Sequence, residues 1–151
     1  MINAINHCFL YWRVMTNITK EQARSYSPLT LAFLGDGVYE LLVRQKIVEK
    51  GSCPVKKLHN RAVEKVRASY QAARVRELES ELTEEESDLL RRGRNAHSHV
   101  PKSSSPEDYR LATGLETLFG YLHLTGQNER IEELFEKIYT NQTVADSTLV
   151  P

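Results

Sequence analysis

The chain is poor in the features that usually announce a function. Its 151 residues include two cysteines, Cys8 and Cys53, without metal-ligand spacing between them. Two thiols with no structural partner suit a reducing cytosol and exclude a disulfide scaffold. No apolar run approaches the ~20 residues that a membrane helix needs. The N-terminal M-I-N-A-I-N-H-C-F-L-Y-W-R-V-M lacks the basic leader and the A-x-A cleavage pattern of a signal peptide. No membrane association is expected, and the expected compartment is the cytoplasm. There is no G-x-S-x-G, no P-loop and no H-x-x-x-H. A nucleophile elbow, a Walker-type nucleotide site and a helical zinc site are thereby set aside. Net charge is also missing: 20 basic residues balance 20 acidic ones, so composition alone announces no nucleic-acid partner.

What is present is helical punctuation. A hydrophobic share of 40% and a charged share of 26% describe a globular domain, with enough chain to bury a core. Thr19 and Gln22 fit a capping box, and Ser27-Pro28 places a cap before a first-turn proline. Leu31, Leu34, Val38, Leu41 and Leu42 then follow helical spacing as far as Gly51. Cys53-Pro54 opens a second long segment with Leu58, Ala62, Val66 and Ala73 on its buried face. Thr83 and Glu86 form another capping box, Ser105-Pro106 starts a helix to about Leu124, and Asn128 starts the last one. Nothing reads as a strand, and no repeat is visible. The expected fold is an all-α bundle of about six helices. Met15 opens the segment that reads as the domain, giving a helical domain over 15–140. Residues 1–14 read as a poorly ordered extension or an over-called start, and 141–151 as a flexible tail.

Zero net charge conceals segregation. From Lys56 to Arg76 seven residues are basic and only Glu64 is acidic, whereas from Glu77 to Asp88 seven are acidic and none is basic. Lys57, Arg61 and Lys65 recur at i, i+4 and form one stripe of a helix, either a solvated face or a track for phosphates. A second basic cluster, R-R-G-R-N-A-H-S-H-V-P-K, places Arg94, Asn95, His97, His99 and Lys102 in or beside a loop. Two such clusters in a neutral protein suggest a phosphate-bearing partner. The acidic block reads as a solvated helix start, where carboxylates favour the positive helix end.

Two acids break apolar helices. Asp36 stands in L-A-F-L-G-D-G-V-Y-E between Gly35 and Gly37, and Glu116 has Ala112 and Gly120 one turn away. Small neighbours admit a close approach by another helix or a ligand. A carboxylate near a core must be paired or bind a metal, so each either meets an arginine, caps a helix, or joins the other on a divalent cation. Oxygen ligands suit Mg²⁺, which takes one or two carboxylates and fills its remaining positions with water. Glu40, one turn after Asp36, either joins that site or faces solvent.

These motifs carry a resemblance. F-L-G-D-G-V at Phe33 to Val38 resembles the signature helix of ribonuclease III, and G-L-E-T-L-F-G-Y at Gly114 to Tyr121 resembles its second acidic motif. Residues 27–139 as a whole are similar to Mini-ribonuclease III, the short bacterial form without a double-stranded-RNA-binding domain. The added matches are L-H-N-R-A at Leu58 to Ala62, R-R-G-R-N-A at Arg91 to Ala96, and Pro101-Lys102. Ordinary ribonuclease III carries further acids where this chain has Leu29, Ala32 and Thr113, and the mini family shares that reduced pattern. The resemblance implies a homodimeric, Mg²⁺-dependent endonuclease for double-stranded RNA that matures the large-subunit (23S) ribosomal RNA precursor. A ribosomal protein that presents the substrate is a further implied partner. Asp36 and Glu116 would be the catalytic and metal-binding residues. Arg94, Asn95 and Lys102 would contact RNA, joined by Lys57, His59, Arg61 and Lys65. Phe33, Gly35 and Gly37 would lie at the dimer interface. A non-catalytic RNA-binding or ribosome-associated module of the same fold is the alternative.

Overall fold

The computed structural model describes residues 18–96 and 99–140. The expected N-terminal extension, the C-terminal tail and His97 lie outside the described residues. Within them there are seven α-helices and no strand. The first, α1 (Lys20–Ser25), starts at the expected capping box: the Gln22 amide donates to Thr19 Oγ1 at 3.2 Å and the Thr19 amide donates to Gln22 Oε1 at 2.9 Å. Pro28 opens α2 (Pro28–Glu49), which stops before Gly51 at φ 111°.

The segment after Pro54 is two helices, not the single one its spacing suggests. They are α3 (Val55–Val66) and α4 (Ala68–Leu78), separated by Arg67 in an extended conformation at φ −64°, ψ 146°. The carbonyls freed by the break are met from elsewhere in the chain. Tyr39 Oη of α2 donates to the Lys65 carbonyl at 3.0 Å, and Gln71 Nε2 of α4 donates to the Val66 carbonyl at 2.9 Å. Of α3 itself only Ala62 is buried, and Val55 at its start is 80% exposed.

A short 3₁₀ turn (Glu79–Glu81) leads to α5 (Glu84–Arg94), which begins at the expected Thr83/Glu86 capping box. The acidic block is not simply solvated. Glu86 is buried and receives hydrogen bonds from Arg130 Nε at 2.8 Å and Nη2 at 2.9 Å. Burial works to raise its pKa, but Arg130 and the Thr83 amide outweigh it and hold the carboxyl below the usual glutamate range. Glu85 accepts from Tyr121 Oη at 2.8 Å and from Arg24 at 3.1 Å. The block therefore ties α5 to its neighbours.

The fold is organised around α6 (Pro106–Leu124), which is buried from Leu111 to Leu122 except at Glu116. It packs on α2, α4, α5 and the last helix, α7 (Asn128–Thr140). Tyr39 meets Phe119 and Phe135 edge-on with ring centroids 5.8 Å apart in both pairs, the arrangement aromatic quadrupoles favour. The crossing of α2 with α6 is close because it lacks two side chains. A Cβ on Gly35 would lie 1.7 Å from the Glu116 carbonyl oxygen, and one on Gly120 would lie 1.9 Å from that of Leu31. This corrects the expectation that Gly35 clears a seam between subunits: its missing side chain is used inside the chain. Gly37 has open space around it.

Candidate active site

The backbone contact at Gly35 brings the two anomalous acids together. Asp36 follows Gly35 on α2, and Glu116 is the residue of α6 that Gly35 touches. Burial first, and the Asp36 charge second, raise the Glu116 carboxyl to about 8. Asp36, exposed on α2, is shifted upward too, by partial loss of water and then by Glu40. Glu40 is held by Arg44, whose Nε donates to it at 2.9 Å, so its own charge is largely met.

Neither Asp36 nor Glu116 is ion-paired or serves as a helix cap among the described residues. Glu116 accepts one long hydrogen bond, from Gln71 Nε2 at 3.4 Å. Two adjacent carboxylates, one of them half-buried and neither with a basic partner among the described residues, are an electrostatic deficit that a positive ion would repair. The donor set is oxygen only, and no group of three or more His, Cys, Asp or Glu suited to a metal occurs among the described residues. That composition fits a hard cation that keeps much of its water and does not fit a dehydrated zinc site.

Comparison with known proteins gives the family. The profile of the Ribonuclease III domain matches residues 29–127. Mini-ribonuclease 3 of Symbiobacterium thermophilum is 49% identical over 110 residues, covering 72% of this chain and 85% of that protein. Mini-ribonuclease 3 of Thermoanaerobacter sp. (strain X514) is 48% identical over 120 residues, 79% of this chain and 84% of its own. A crystal structure of a Fusobacterium nucleatum protein superposes with a TM-score of 0.72 at 31% identity, covering 78% of this chain and 96% of that one. The chain belongs to the Mini-ribonuclease III branch of the ribonuclease III family.

Membership makes this a ribonuclease III-type endoribonuclease. Of the positions where ordinary ribonuclease III has further acids, Leu29 is exposed on α2, Ala32 is buried, and the buried Thr113 hydroxyl donates to the Tyr109 carbonyl at 2.9 Å. Asp36 and Glu116, on crossing helices with Glu40 one turn from Asp36, are the acids this chain keeps at those motifs.

The remaining sequence-derived residues fall in three places. Arg94 and Asn95 are exposed at the end of α5, and Lys102 is exposed in the turn before α6. Lys57, His59 and Arg61 are exposed on α3, but Lys65 is half-buried with its ammonium 4.8 Å from the Tyr70 ring centre and 5.5 Å from that of Tyr139. The last member of the basic stripe therefore packs on aromatic faces. Phe33 is 86% exposed on α2, with Leu29 and Leu41 also outward. One residue bonded to the carboxylate pair was missed by sequence reasoning, Gln71. The available signal was a glutamine amid Y-Q-A-A, on the face of α4 that also buries Tyr70 and Ala72.

Proposed function

We propose that this Mini-ribonuclease III cuts double-stranded RNA with Mg²⁺ held by Asp36 and Glu116, and that its substrate is the 23S ribosomal RNA precursor. The single observation that carries the reading is the pair of adjacent carboxylates left without a cation at the crossing of α2 and α6. Asp36 and Glu116 would hold the Mg²⁺, which would supply Lewis-acid chemistry for phosphodiester hydrolysis at neutral pH. The chain's own residues fix where this happens. Gly35 sets the depth of Glu116 relative to Asp36, and Arg44 draws Glu40 aside.

The duplex is held through its backbone, as A-form RNA generally is. Arg94, Asn95 and Lys102 hold phosphates near the scissile bond, and Lys57, His59 and Arg61 extend the contact along α3. Lys65 supports that face from below. A ring as large and as bare as Phe33 marks a contact surface. The proposed homodimer joins through this face of α2, with Gly37 beside it, so that each of two sites meets one strand. The catalytic domain spans 15–140, the enzyme works in the cytoplasm, and a ribosomal protein presents the precursor. No helix among the described residues is long and apolar enough to cross a membrane.

The test is cleavage of a duplex RNA with and without Mg²⁺ by wild type, Asp36→Asn and Glu116→Gln. The expected result is Mg²⁺-dependent cutting that both substitutions abolish while duplex binding persists. Full activity in both variants would sink the site assignment. Binding without cutting by wild type would favour the non-catalytic module.

A further inference from the structure

Gln71 is a polar side chain in a place where a polar side chain needs a reason. It lies on α4 at 1% exposure, between the break that ends α3 and the carboxylate of Glu116. Its Nε2 donates in two directions, to the Val66 carbonyl at 2.9 Å and to Glu116 Oε1 at 3.4 Å. The shorter bond fixes the amide, because the opposite orientation would set oxygen against the Val66 oxygen. The longer bond steadies the Glu116 carboxylate without neutralising it. The amide's other atom, Oε1, is buried and accepts no hydrogen bond among the described residues. A buried acceptor left open is destabilising, and folded proteins seldom keep one without a use.

A glutamine is not needed merely to cap Val66, since helix ends are ordinarily capped by water or by local side chains. What distinguishes Gln71 is that one amide donates both to the end of α3 and to the Glu116 carboxylate, with its own acceptor left unused. A partner that orients a ligating carboxylate tunes the metal site through it. We propose that Gln71 is a positioning residue: its Nε2, anchored on the Val66 carbonyl, holds the Glu116 carboxylate in the place from which it shares a divalent cation with Asp36. The inference rests on the metal reading of the preceding subsection. It adds a third side chain, from a third helix, to a site otherwise made by α2 and α6. It also links that site to the end of the basic helix α3 through a single amide group.

The experiment is a titration of metal-free protein with Mn²⁺ alone, without RNA, followed by electron paramagnetic resonance. Wild type, Gln71→Met and Gln71→Asn are compared, with Glu116→Gln as the control that removes a ligand. Methionine keeps the length without donor or acceptor, whereas asparagine keeps the amide but is too short to reach both partners. Both are expected to weaken Mn²⁺ binding by about tenfold. Both should lower kcat with KM for duplex RNA unchanged, and raised Mg²⁺ should restore part of the rate. A purely structural role would lower the unfolding temperature and leave the Mn²⁺ affinity alone. Wild-type affinity in either variant, shown folded by circular dichroism, overturns the proposal, and Gln71→Asn decides if Gln71→Met does not fold. If wild type itself binds no Mn²⁺, the metal reading fails and this inference falls with it. If wild type binds and the glutamine variants bind equally, only this inference fails.

Discussion

The carbonyl oxygen of Glu116 occupies the space in which a side chain on Gly35 would begin, 1.7 Å from the position of its Cβ. The register between the two acid-bearing helices is therefore set by backbone against backbone. Gly35→Ala is expected to lose about 3 kcal/mol of stability, because neither main chain can yield cheaply. Gly37→Ala, exposed on the same helix with nothing nearby, should gain up to about 1 kcal/mol from helix propensity. Urea denaturation of the two variants checks the contrast, and equal stabilities would refute it.

The raised Glu116 carboxyl has a consequence for stability. Its pKa stands at about 8 in the folded, metal-free protein against 4.5 for the ordinary side chain, with burial the larger cause and Asp36 the smaller. Between those values the folded state binds more protons than the unfolded one, so stability falls as pH rises through that window. Asp36 shifts the same way, whereas Glu86, held low by Arg130, contributes stability that is lost as pH falls. In EDTA, Glu116→Gln should flatten the loss toward pH 8 and raise the unfolding temperature there on the order of 5 °C. Added Mg²⁺ should stabilise wild type at that pH and leave Glu116→Gln nearly unchanged. Thermal scans across pH read both effects.

Arg130 meets a carboxylate that has almost no water. Removing it by Arg130→Met leaves Glu86 buried with only its own capping bonds. The expected loss is about 3 kcal/mol, with cleavage at temperatures below the transition unaffected because neither Arg130 nor Glu86 bonds Asp36 or Glu116. Calorimetry and a single-temperature activity assay separate the two outcomes.

Phe33 offers the sharpest test of assembly. Phe33→Asp removes a large exposed ring from the middle of the apolar face of α2 and places a charge there. Gel filtration should show a dimer for wild type and a monomer for the variant, with the helical circular dichroism spectrum retained. A dimeric variant would place the subunit interface elsewhere.

Much of the helical framework was legible because helix ends are written locally. Thr19 with Gln22, Thr83 with Glu86, and Ser105 before Pro106 each state a start within four residues, and each start occurs as expected. The break at Arg67 was not legible, since no glycine or proline marks it. It is held by Tyr39 and by Gln71, and the first of these lies 26 residues away in sequence. Glu86 was misread for the same reason: its partner Arg130 is 44 residues distant, and sequence shows only the carboxylate-rich turn around it. At the site, periodicity found Asp36 and Glu116 as misfits. It could not say that Gly35 faces α6 while Gly37 faces open space, because a gap in a pattern does not name what fills it.

The lopsided anchoring of α3 makes that helix a lever. Its C-terminal end is pinned by two side chains from α2 and α4, while its first turn carries an exposed valine and the helix buries only one residue, Ala62. Elements with so few apolar contacts open at low free energy. The amides of its first turns will exchange with solvent sooner than those of α6, so the proposed RNA-contacting cations Lys57 and Arg61 ride on a looser element than Asp36 and Glu116, which belong to the closely packed pair α2 and α6.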